Sequence, residues 1–465
     1  MLIINKKTVS RRKQMLKRTI LKDMIEWKND KKHKALLITG ARQIGKTYII
    51  RKFAQEQYPN FLEINFVIDE NARTIFDDVS DVDMIIANLT AHTGRSLVPG
   101  KTLIFLDEIQ ECPKARTAIK FLVEDGRFDY IESGSLLGVK YKEVPSYPVG
   151  YEKICQMYPL TFQEFLDANG VKEETLLLLE KAYKTKTPVS ESIHKTITQL
   201  FRYYLVVGGM PDAVQRFVDT HDIGQVTEIQ NNILELYRQD ISKYALNDKN
   251  KIKDIFDRIP SELNEKNKRF IVTDLKKSAR MERYENSFLW LKDAGVALPC
   301  YNVTDPVIPL KLNEKHSLFK LFLADTGLLC AASMENVQYE ILKGNLSVNM
   351  GSILENMFAQ ILTANGFELR YYDKKGKCEL DFVIQKGNEI IPLEIKSGKS
   401  YYEHASLTYA LKTDAWNLKK GYVFCSGNIE TKENVTYLPW YMVMFFKQES
   451  IKKGFVVNVD LSGLN

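Results

Sequence analysis

Short apolar runs and helical repeats alternate over the first third of the chain. Residues 35–39 and 103–106 are almost entirely apolar and have the length of buried strands. Ile49 and Phe53 recur at helical spacing after the first run, and residues 116–124 repeat this pattern after the second. Strands that alternate with helices predict a parallel sheet with helices on both faces, which is the α/β fold class.

The pattern changes twice after this α/β part. From about residue 160 to 250, apolar residues recur at helical spacing and predict an all-helical segment. Residues 251–300 predict three short helices, and a strand over 296–303 makes this segment resemble a winged helix. Beyond residue 345 the pattern predicts a second α/β domain. Its elements are a helix over 352–364 and strands over 379–385 and 389–396.

The composition fits a folded protein of about three domains. The chain has 465 residues, of which 45% are hydrophobic and 27% charged, and this excludes a disordered or collagen-like chain. It has no run of 18 apolar residues, so no membrane span is expected, and its first apolar run is too short for a signal peptide. The six cysteines are scattered without a CxxC pair, which argues against disulfides and zinc. We therefore expect a cytoplasmic protein.

The net charge of +6 is unevenly distributed. Residues 1–34 contain twelve Lys or Arg against three Asp or Glu, so the rest of the chain is slightly acidic. A basic leading segment is typical of a DNA or RNA contact and equally of a solvated helix face. A second basic group lies in the winged-helix-like segment, where such residues can contact DNA phosphates. It comprises Lys266, Lys268, Arg269, Lys276, Lys277, Arg280 and Arg283. The segment can equally serve as a protein contact or as part of the ATPase lid.

A complete phosphate-loop pattern, GxxxxGK(S/T), lies between the first predicted strand and its helix. Its glycines let the backbone curl so that successive N–H groups point at phosphate oxygens, and the helix adds its positive N-terminal end. Lys46 can reach the β- and γ-phosphates, and the Thr47 hydroxyl can ligate Mg²⁺. The candidate nucleotide-binding residues are Gly40, Ala41, Arg42, Gln43, Ile44, Gly45, Lys46, Thr47 and Tyr48.

Two carboxylates close the second predicted strand. Asp107 can hold the Mg²⁺ water shell, and Glu108 can deprotonate the attacking water, so both are candidate catalytic residues together with Lys46. Ser133 and Ser135 close the next strand and are candidate sensors of the γ-phosphate. Small polar residues are also common at strand ends without a function.

At this point the chain resembles the prokaryotic AAA-type ATPases that carry a C-terminal domain of unknown function. The segments that carry the resemblance are Asp-Glu-Ile-Gln-Glu-Cys-Pro (107–113), Glu-Ser-Gly-Ser (132–135), Tyr-Pro-Leu-Thr-Phe (158–162), Gly-Gly-Met-Pro (208–211), Leu-Tyr-Arg-Gln-Asp-Ile (236–241) and Phe-Lys-Leu-Phe-Leu-Ala-Asp-Thr-Gly-Leu-Leu (319–329). The resemblance implies an ATPase core, a helical and winged-helix middle and a nuclease-like end.

The chain departs from this family at one position. Many members have Gly-Arg before the Tyr-Pro-Leu segment, whereas this chain has Gly150-Tyr151. The arginine finger expected there is therefore in doubt. Arg42, Arg116 and Arg127 are the other candidates, and each can equally be an ordinary surface charge.

The C-terminal part resembles the PD-(D/E)xK nuclease-like superfamily. Glu355 lies on a predicted helix, Asp381 lies in a strand, and Glu394 and Lys396 project from one face of the next strand. Asp381 and Glu394 can hold a second Mg²⁺ or Mn²⁺ through oxygen ligands, and Glu355 can complete the set. Lys396 can stabilise charge on a phosphate. Glu-x-Lys patterns also arise by chance, and a nuclease-like fold does not fix nuclease activity.

These observations predict a Mg²⁺-dependent ATPase whose nucleotide state controls a nuclease-like effector that contacts DNA. The alternative is a nucleotide-gated switch that binds DNA or protein and has an inactive nuclease-like domain. AAA-type ATPases often assemble as homo-oligomers, which is a further expectation. The predicted organisation is a basic N-terminal helix (1–34), an AAA-type P-loop ATPase domain (35–165), a helical segment (166–250), a winged-helix-like segment (251–340) and a PD-(D/E)xK nuclease-like domain (345–450).

Overall fold

A five-stranded parallel sheet forms the first part of the computed structural model. The structure describes residues 16–30, 34–135, 147–245, 248–265, 268–271, 284–333, 338–343, 350–374 and 377–448. Within them, the sheet has the strand order β2-β3-β4-β1-β5. Its strands are β1 (Ala35–Thr39), β2 (Asn60–Asn65), β3 (Thr102–Asp107), β4 (Asp129–Gly134) and β5 (Glu152–Gln156). Because β4 lies between β1 and β3, the carboxyl ends of these three strands meet at one edge.

Strands β1 and β3 are buried on both faces, which explains their uninterrupted apolar runs. Leu36 and Ile38 belong to one core, and Ala35 and Leu37 belong to the core on the other face. The helices of this part are α1 (Ile20–Asn29), α2 (Lys46–Gln57), α3 (Val82–Thr93) and α4 (Pro113–Asp125), with 3-10 turns at Glu70–Phe76 and Ile109–Glu111. The predicted α/β fold is confirmed here.

The basic leading segment is partly built into this core. Within residues 16–30, which the structure describes, the helix is α1, and it buries Ile20, Met24 and Trp27. The Trp27 ring lies 6.3 Å from the ring of Phe53 in α2. The apolar face of the leading helix therefore packs on the sheet domain, and residues 1–15 lie outside the described residues.

The expected helical segment follows the sheet. Its helices are α5 (Phe162–Ala168), α6 (Glu173–Thr185), α7 (Glu191–Val207), α8 (Pro211–Thr220), α9 (Ile223–Tyr244) and α10 (Lys249–Asn264). Local signals set their starts: Thr161 and Glu164 form a capping box at α5, and Pro211 occupies the first turn of α8. The long helix α9 begins at Asp222, whose side chain accepts from the Gln225 N–H.

Two mixed sheets form the rest of the described chain. The first has the order β7-β6-β8-β9 and the second the order β10-β11-β12-β14-β13. The strands are β6 (Ala297–Val303), β7 (Glu314–Leu323), β8 (Arg370–Lys374), β9 (Cys378–Leu380), β10 (Phe382–Lys386), β11 (Glu389–Ile395), β12 (Gly421–Cys425), β13 (Glu430–Lys432) and β14 (Val435–Pro439). The helices are α11 (Glu285–Asp293), α12 (Thr326–Ser333), α13 (Gln338–Lys343), α14 (Met350–Ala364) and α15 (Ala405–Leu411), with 3-10 turns at Leu310–Asn313, Asp414–Trp416 and Trp440–Phe445.

The single strand expected over 379–385 is wrong. The chain bends at Asp381, so β9 and β10 fall into different sheets. The strand expected over 296–303 is β6, and it pairs with β7 on one side and with β8 of the C-terminal part on the other. The winged helix itself stays a prediction, because residues 272–283 lie outside the described residues. Within the described chain, no helix is long and apolar enough to span a membrane.

Candidate functional site

The phosphate loop curls between β1 and α2 as its glycines require. Gly40 has φ +141°, and a Cβ there would lie 2.3 Å from the carbonyl oxygen of Met157. Gly45 has φ +87° at the start of α2. The Lys46 ammonium is buried and donates to the carbonyls of Gly40 at 2.9 Å and Ala41 at 2.8 Å. Burial lowers the pKa of Lys46 to about 8, although Glu108 and Asp107 act to raise it.

Four groups converge on the buried carboxylate of Asp107, two from the strands β2 and β4, one from the phosphate loop and one from the residue that follows β3. Thr47 Oγ1 donates at 3.1 Å, and the Asn65 amide of β2 donates at 2.8 Å. Ser133 of β4 hydrogen-bonds the other carboxylate oxygen, which also accepts from the Glu108 N–H at 3.1 Å. Burial raises the pKa of Asp107, and the side-chain hydrogen bonds oppose this. The loop hydroxyl and this strand-end carboxylate thus share one polar cluster.

Glu108 stands beside this cluster in a left-handed backbone conformation, with φ +55°. A non-glycine residue in that region is uncommon and is often found at functional sites. Its carboxylate hydrogen-bonds the Gln110 side chain and lies 3.5 Å from Ser135 Oγ. Both predicted sensors therefore touch the paired carboxylates, Ser133 at Asp107 and Ser135 at Glu108.

Helix α9 docks directly on the phosphate loop through Arg42. The Arg42 guanidinium pairs with Asp240, and it donates to Tyr244 Oη at 3.3 Å and to Ser135 Oγ at 3.3 Å. The Tyr237 hydroxyl donates to the Arg42 carbonyl at 3.1 Å. Burial raises the pKa of Asp240, and Arg42 opposes this. A continuous chain of contacts thus links Glu108 through Ser135 and Arg42 to α9.

Two further segments hold the loop from other sides. The buried Arg18, which precedes α1, donates to the carbonyls of Ile44 at 2.8 Å and Tyr158 at 2.5 Å. At the end of α11, Gly295 has φ +73°, and a Cβ there would lie 3.0 Å from the Ala41 nitrogen. A cleft of about 1110 Å³ opens beside the loop, and its walls come from the first sheet, α11, β6 and residues 363–369.

The C-terminal candidates lie around a buried lysine that the sequence had not singled out as a site residue. Lys320 of β7 is fully buried, and its ammonium lies 3.3 Å from Glu355 Oε2 and 3.3 Å from Glu379 Oε1. Lys268 contacts the other oxygen of Glu355. Burial by itself would raise the pKa of Glu355, but the two ammonium groups hold it below its usual range. Burial would lower the pKa of Lys320, and the carboxylates raise it instead.

The other three C-terminal candidates border this lysine–glutamate group. Asp381 accepts a hydrogen bond from the Ile395 N–H at 2.7 Å, and burial together with Glu394 and Glu355 raises its pKa. Lys396 pairs with Glu394 at 2.9 Å. Burial raises the pKa of Glu394, which Lys396 opposes. Within the described residues, no group of three or more His, Cys, Asp or Glu side chains is arranged to hold a metal. The expected second metal therefore has no support.

Two residues of the basic middle group lie within the described chain, and both form ion pairs with carboxylates. Lys268 pairs with Glu355 and Arg269 pairs with Asp373, so these two residues bind the C-terminal part of the chain itself. The remaining five residues of that group, Lys266, Lys276, Lys277, Arg280 and Arg283, lie outside the described residues.

Residues 32–166 match the family model of an AAA domain. The match covers β1, the phosphate loop and both strand-end carboxylates. This part of the chain is similar to an AAA domain, and its parallel sheet with flanking helices has the P-loop NTPase fold. Two domains of unknown function match the rest: DUF8612 over residues 198–339 and DUF4143 over residues 350–443. The family match supports the predicted AAA-type P-loop core, and the nuclease-like character of the C-terminal part stays a prediction.

Solved structures similar to the chain include three ATPase-type proteins. A Walker-type ATPase of Pyrococcus abyssi is 12% identical with a TM-score of 0.41, over 69% of this chain and 97% of that one. The RuvB Holliday junction branch migration motor of Thermotoga maritima is 15% identical with a TM-score of 0.29, over 61% and 89%. The Orc1 protein of Aeropyrum pernix, solved in complex with DNA, is 13% identical with a TM-score of 0.24, over 70% and 91%. No curated protein matches the chain.

The three arginines that are candidates for an arginine finger have different surroundings. Arg116 is buried and forms two 3.0 Å hydrogen bonds to Glu152. Arg127 pairs with Asp125 and Asp83. Arg42 is the one of the three that contacts the catalytic candidates, through Ser135.

Sequence reasoning missed several groups at the ATPase site. Asn65 ends β2, a strand that the apolar pattern did not reveal because its buried positions alternate with half-buried ones. Gln110 and Asp240 each lie within a segment that carried the family resemblance, yet neither had been given a role. For Asn65, the signal in the sequence was its position, because it is the polar residue that ends a strand next to β3.

Proposed function

We propose that the chain binds ATP with Mg²⁺ at the phosphate loop and hydrolyses it to ADP and phosphate. The observation that carries the proposal is the convergence of Thr47, Asn65 and Ser133 on the buried carboxylate of Asp107. Glu108 follows at once, beside the loop that can bind the phosphates. Such an arrangement supplies a metal-binding edge and a base at one place.

Each group then has a definite task. The loop N–H groups and the N-terminal end of α2 bind the phosphates, and Lys46 turns from its two carbonyl partners towards the β- and γ-phosphates. Thr47 and Asp107 hold Mg²⁺, which neutralises charge on the transferred phosphoryl group. Glu108 accepts the proton of the attacking water, and Ser133 and Ser135 orient the groups around it.

Two variants of the ATPase site test this assignment. We expect Lys46→Ala to abolish nucleotide binding, and Glu108→Gln to keep binding while hydrolysis falls by about 100-fold or more, because a general base contributes about 10²–10⁴ in rate. Titration with a fluorescent ATP analogue measures binding, and phosphate release measures turnover. Glu111→Gln, in the same turn, is the matched control. Hydrolysis by Glu108→Gln at the wild-type rate would show that Glu108 is not the base.

We further propose that the nucleotide state is passed on through α9. The support is the set of contacts by which Asp240, Tyr244 and Tyr237 hold Arg42 within the loop. Helix α9 also packs on α12, next to Asp325, which accepts a hydrogen bond from the Gly209 N–H at 2.6 Å. A ligand that moves Arg42 therefore acts on a helix that reaches the middle of the molecule.

DNA is the partner we propose for this switch, on the strength of the basic charge in residues 1–34. A mobility-shift assay with double-stranded and single-stranded DNA, with and without ATP, tests it. We expect retention that weakens steeply with salt and changes with nucleotide. Absence of any shift at low salt would favour a protein partner instead.

A further inference from the structure

The most unusual buried charge outside the ATPase site is Lys320. Its side chain has no exposed surface, although it lies in a strand between Phe319 and Leu321. A lysine is rarely buried unless its charge is compensated. Here the compensation comes from Glu355 of α14 and Glu379 of β9, both at 3.3 Å.

These contacts place the ammonium among the carboxylates where a nuclease-like site would bind its divalent cation. Both oxygens of Glu355 already face ammonium groups, one from Lys320 and one from Lys268. The Lys320 ammonium also lies 4.9 Å from the centre of the Tyr371 ring, whose face attracts cations. The helix carboxylate is therefore fully engaged by the chain itself.

The remaining carboxylates are each engaged through one oxygen. Asp381 accepts the Ile395 N–H, and Glu394 pairs with Lys396 through Oε1, whereas its buried Oε2 has no hydrogen-bond partner among the described residues. Mg²⁺ and Mn²⁺ need several oxygen ligands at short distance, and with Lys320 and Lys268 in place both oxygens of Glu355 are already taken. A divalent ion would also have to approach a buried ammonium of the same sign, which costs most where water is excluded.

We propose that Lys320 is an internal substitute for the metal ion, so that the C-terminal carboxylate cluster is closed to divalent cations and does not cleave phosphodiesters. Its role is to fasten the hairpin β6–β7 to α14 and β9. The C-terminal part would then bind a DNA or protein partner without cleaving it. This agrees with the alternative given in the sequence analysis, a switch with an inactive nuclease-like domain. This inference does not depend on ATP hydrolysis at the phosphate loop.

Mn²⁺ binding by the full chain without nucleotide tests the proposal, because the electron paramagnetic resonance signal of free Mn²⁺ falls when the ion binds. We expect wild type and Asp381→Asn to leave the same free signal. Lys320→Met, which removes the ammonium but keeps the apolar stem, is expected to bind one additional Mn²⁺ per chain. Adding Asp381→Asn to Lys320→Met should remove that ion again. Lys420→Met, which removes a lysine that pairs with Glu389 outside the cluster, is the matched control and should behave as wild type.

Two results would overturn the proposal. One is Mn²⁺ bound by wild type and lost in Asp381→Asn, a comparison that needs no change at Lys320. The other is a folded Lys320→Met, judged by its ATP-analogue binding, that takes up no more Mn²⁺ than wild type. Loss of an ion in Asp107→Asn alone would report on the ATPase site, so the two sites are distinguished.

Discussion

The phosphate loop and the C-terminal carboxylate cluster each contain one deeply buried lysine. The partners of the two lysines differ in charge. Lys46 donates to two backbone carbonyls, which are neutral. Lys320 lies between carboxylates. The pKa of Lys46 is lowered to about 8 by burial, whereas carboxylates raise the pKa of Lys320 above its usual value.

This difference distinguishes a lysine whose charge a ligand can still compensate from a lysine whose charge the protein already compensates. The direct acceptors of Lys46 are neutral, and the nearby carboxylates of Asp107 and Glu108 offset its loss of hydration only in part, so an incoming phosphate supplies further opposite charge. A buried cation among carboxylates already has its counter-ions, so a further ligand gains little. The same residue type is thus a binding group in the ATPase domain and a structural group in the C-terminal part.

The largest expected effect is on stability, and it tests the comparison directly. We expect Lys320→Met to lower the free energy of unfolding by about 3–5 kcal/mol, because it leaves Glu355 buried without its main counter-charge. Lys46→Met should cost little, since the loop loses only an ammonium that burial already disfavours. Thermal unfolding of nucleotide-free protein at neutral pH measures both. Equal destabilisation by the two variants would contradict the distinction.

A second substitution isolates the charge from the loss of packing. Adding Glu355→Gln to Lys320→Met removes the uncompensated carboxylate, so we expect the double variant to recover part of the lost stability. Additive losses in the double variant would mean that the pair is not coupled.

The two sites also differ in how much of each could be predicted from the sequence. The phosphate loop is eight consecutive residues, so its chemistry is readable without knowing the fold. The partners of Asp107 were harder, because Asn65 comes from a strand that pairs in register with β3 only in three dimensions. Ser133 was expected as a sensor of the γ-phosphate, which stays a prediction, and its contact with Asp107 was not foreseen.

The C-terminal cluster contains a contact that the local sequence pattern does not predict. Glu355, Asp381, Glu394 and Lys396 were found from their order, but their partner Lys320 comes from the preceding segment of the chain. A charged residue inside the apolar run 319–323 was the available signal, since such a lysine must find carboxylates when the strand is buried. The bend at Asp381 was hidden because the residues on both sides, Leu380 and Phe382, are apolar like a continuous strand.

The next effect in size is a pH dependence of nucleotide binding. Phosphates bind the ammonium form of Lys46, and its pKa of about 8 in the empty loop means that this form declines above pH 8. We expect ATP affinity to fall up to about tenfold per pH unit above 8 and to be flat between pH 6.5 and 7.5. The charged groups that face Lys46 are Asp107, Glu108 and Arg42. Calorimetry in buffers of different ionisation enthalpy should show proton uptake on binding at pH 9, and no uptake would contradict the assignment.

The smallest effect concerns the contact between Arg42 and α9. Asp240→Asn removes a negative charge beside the phosphate loop and releases the Arg42 guanidinium, so both changes favour a polyanion there. Because Arg42 is partly exposed, we expect a gain in ATP affinity of about three- to fivefold, within the ~1 kcal/mol typical of such pairs. Asp257→Asn breaks another Arg–Asp pair of α9, at 2.8 Å from Arg238, and should leave ATP affinity unchanged. Equal affinities in the two variants would show that Asp240 does not compete with nucleotide for Arg42. A gain in ATP affinity in Asp240→Asn alone would show that α9 competes with nucleotide for the phosphate loop. No such competition is expected at the cluster around Lys320.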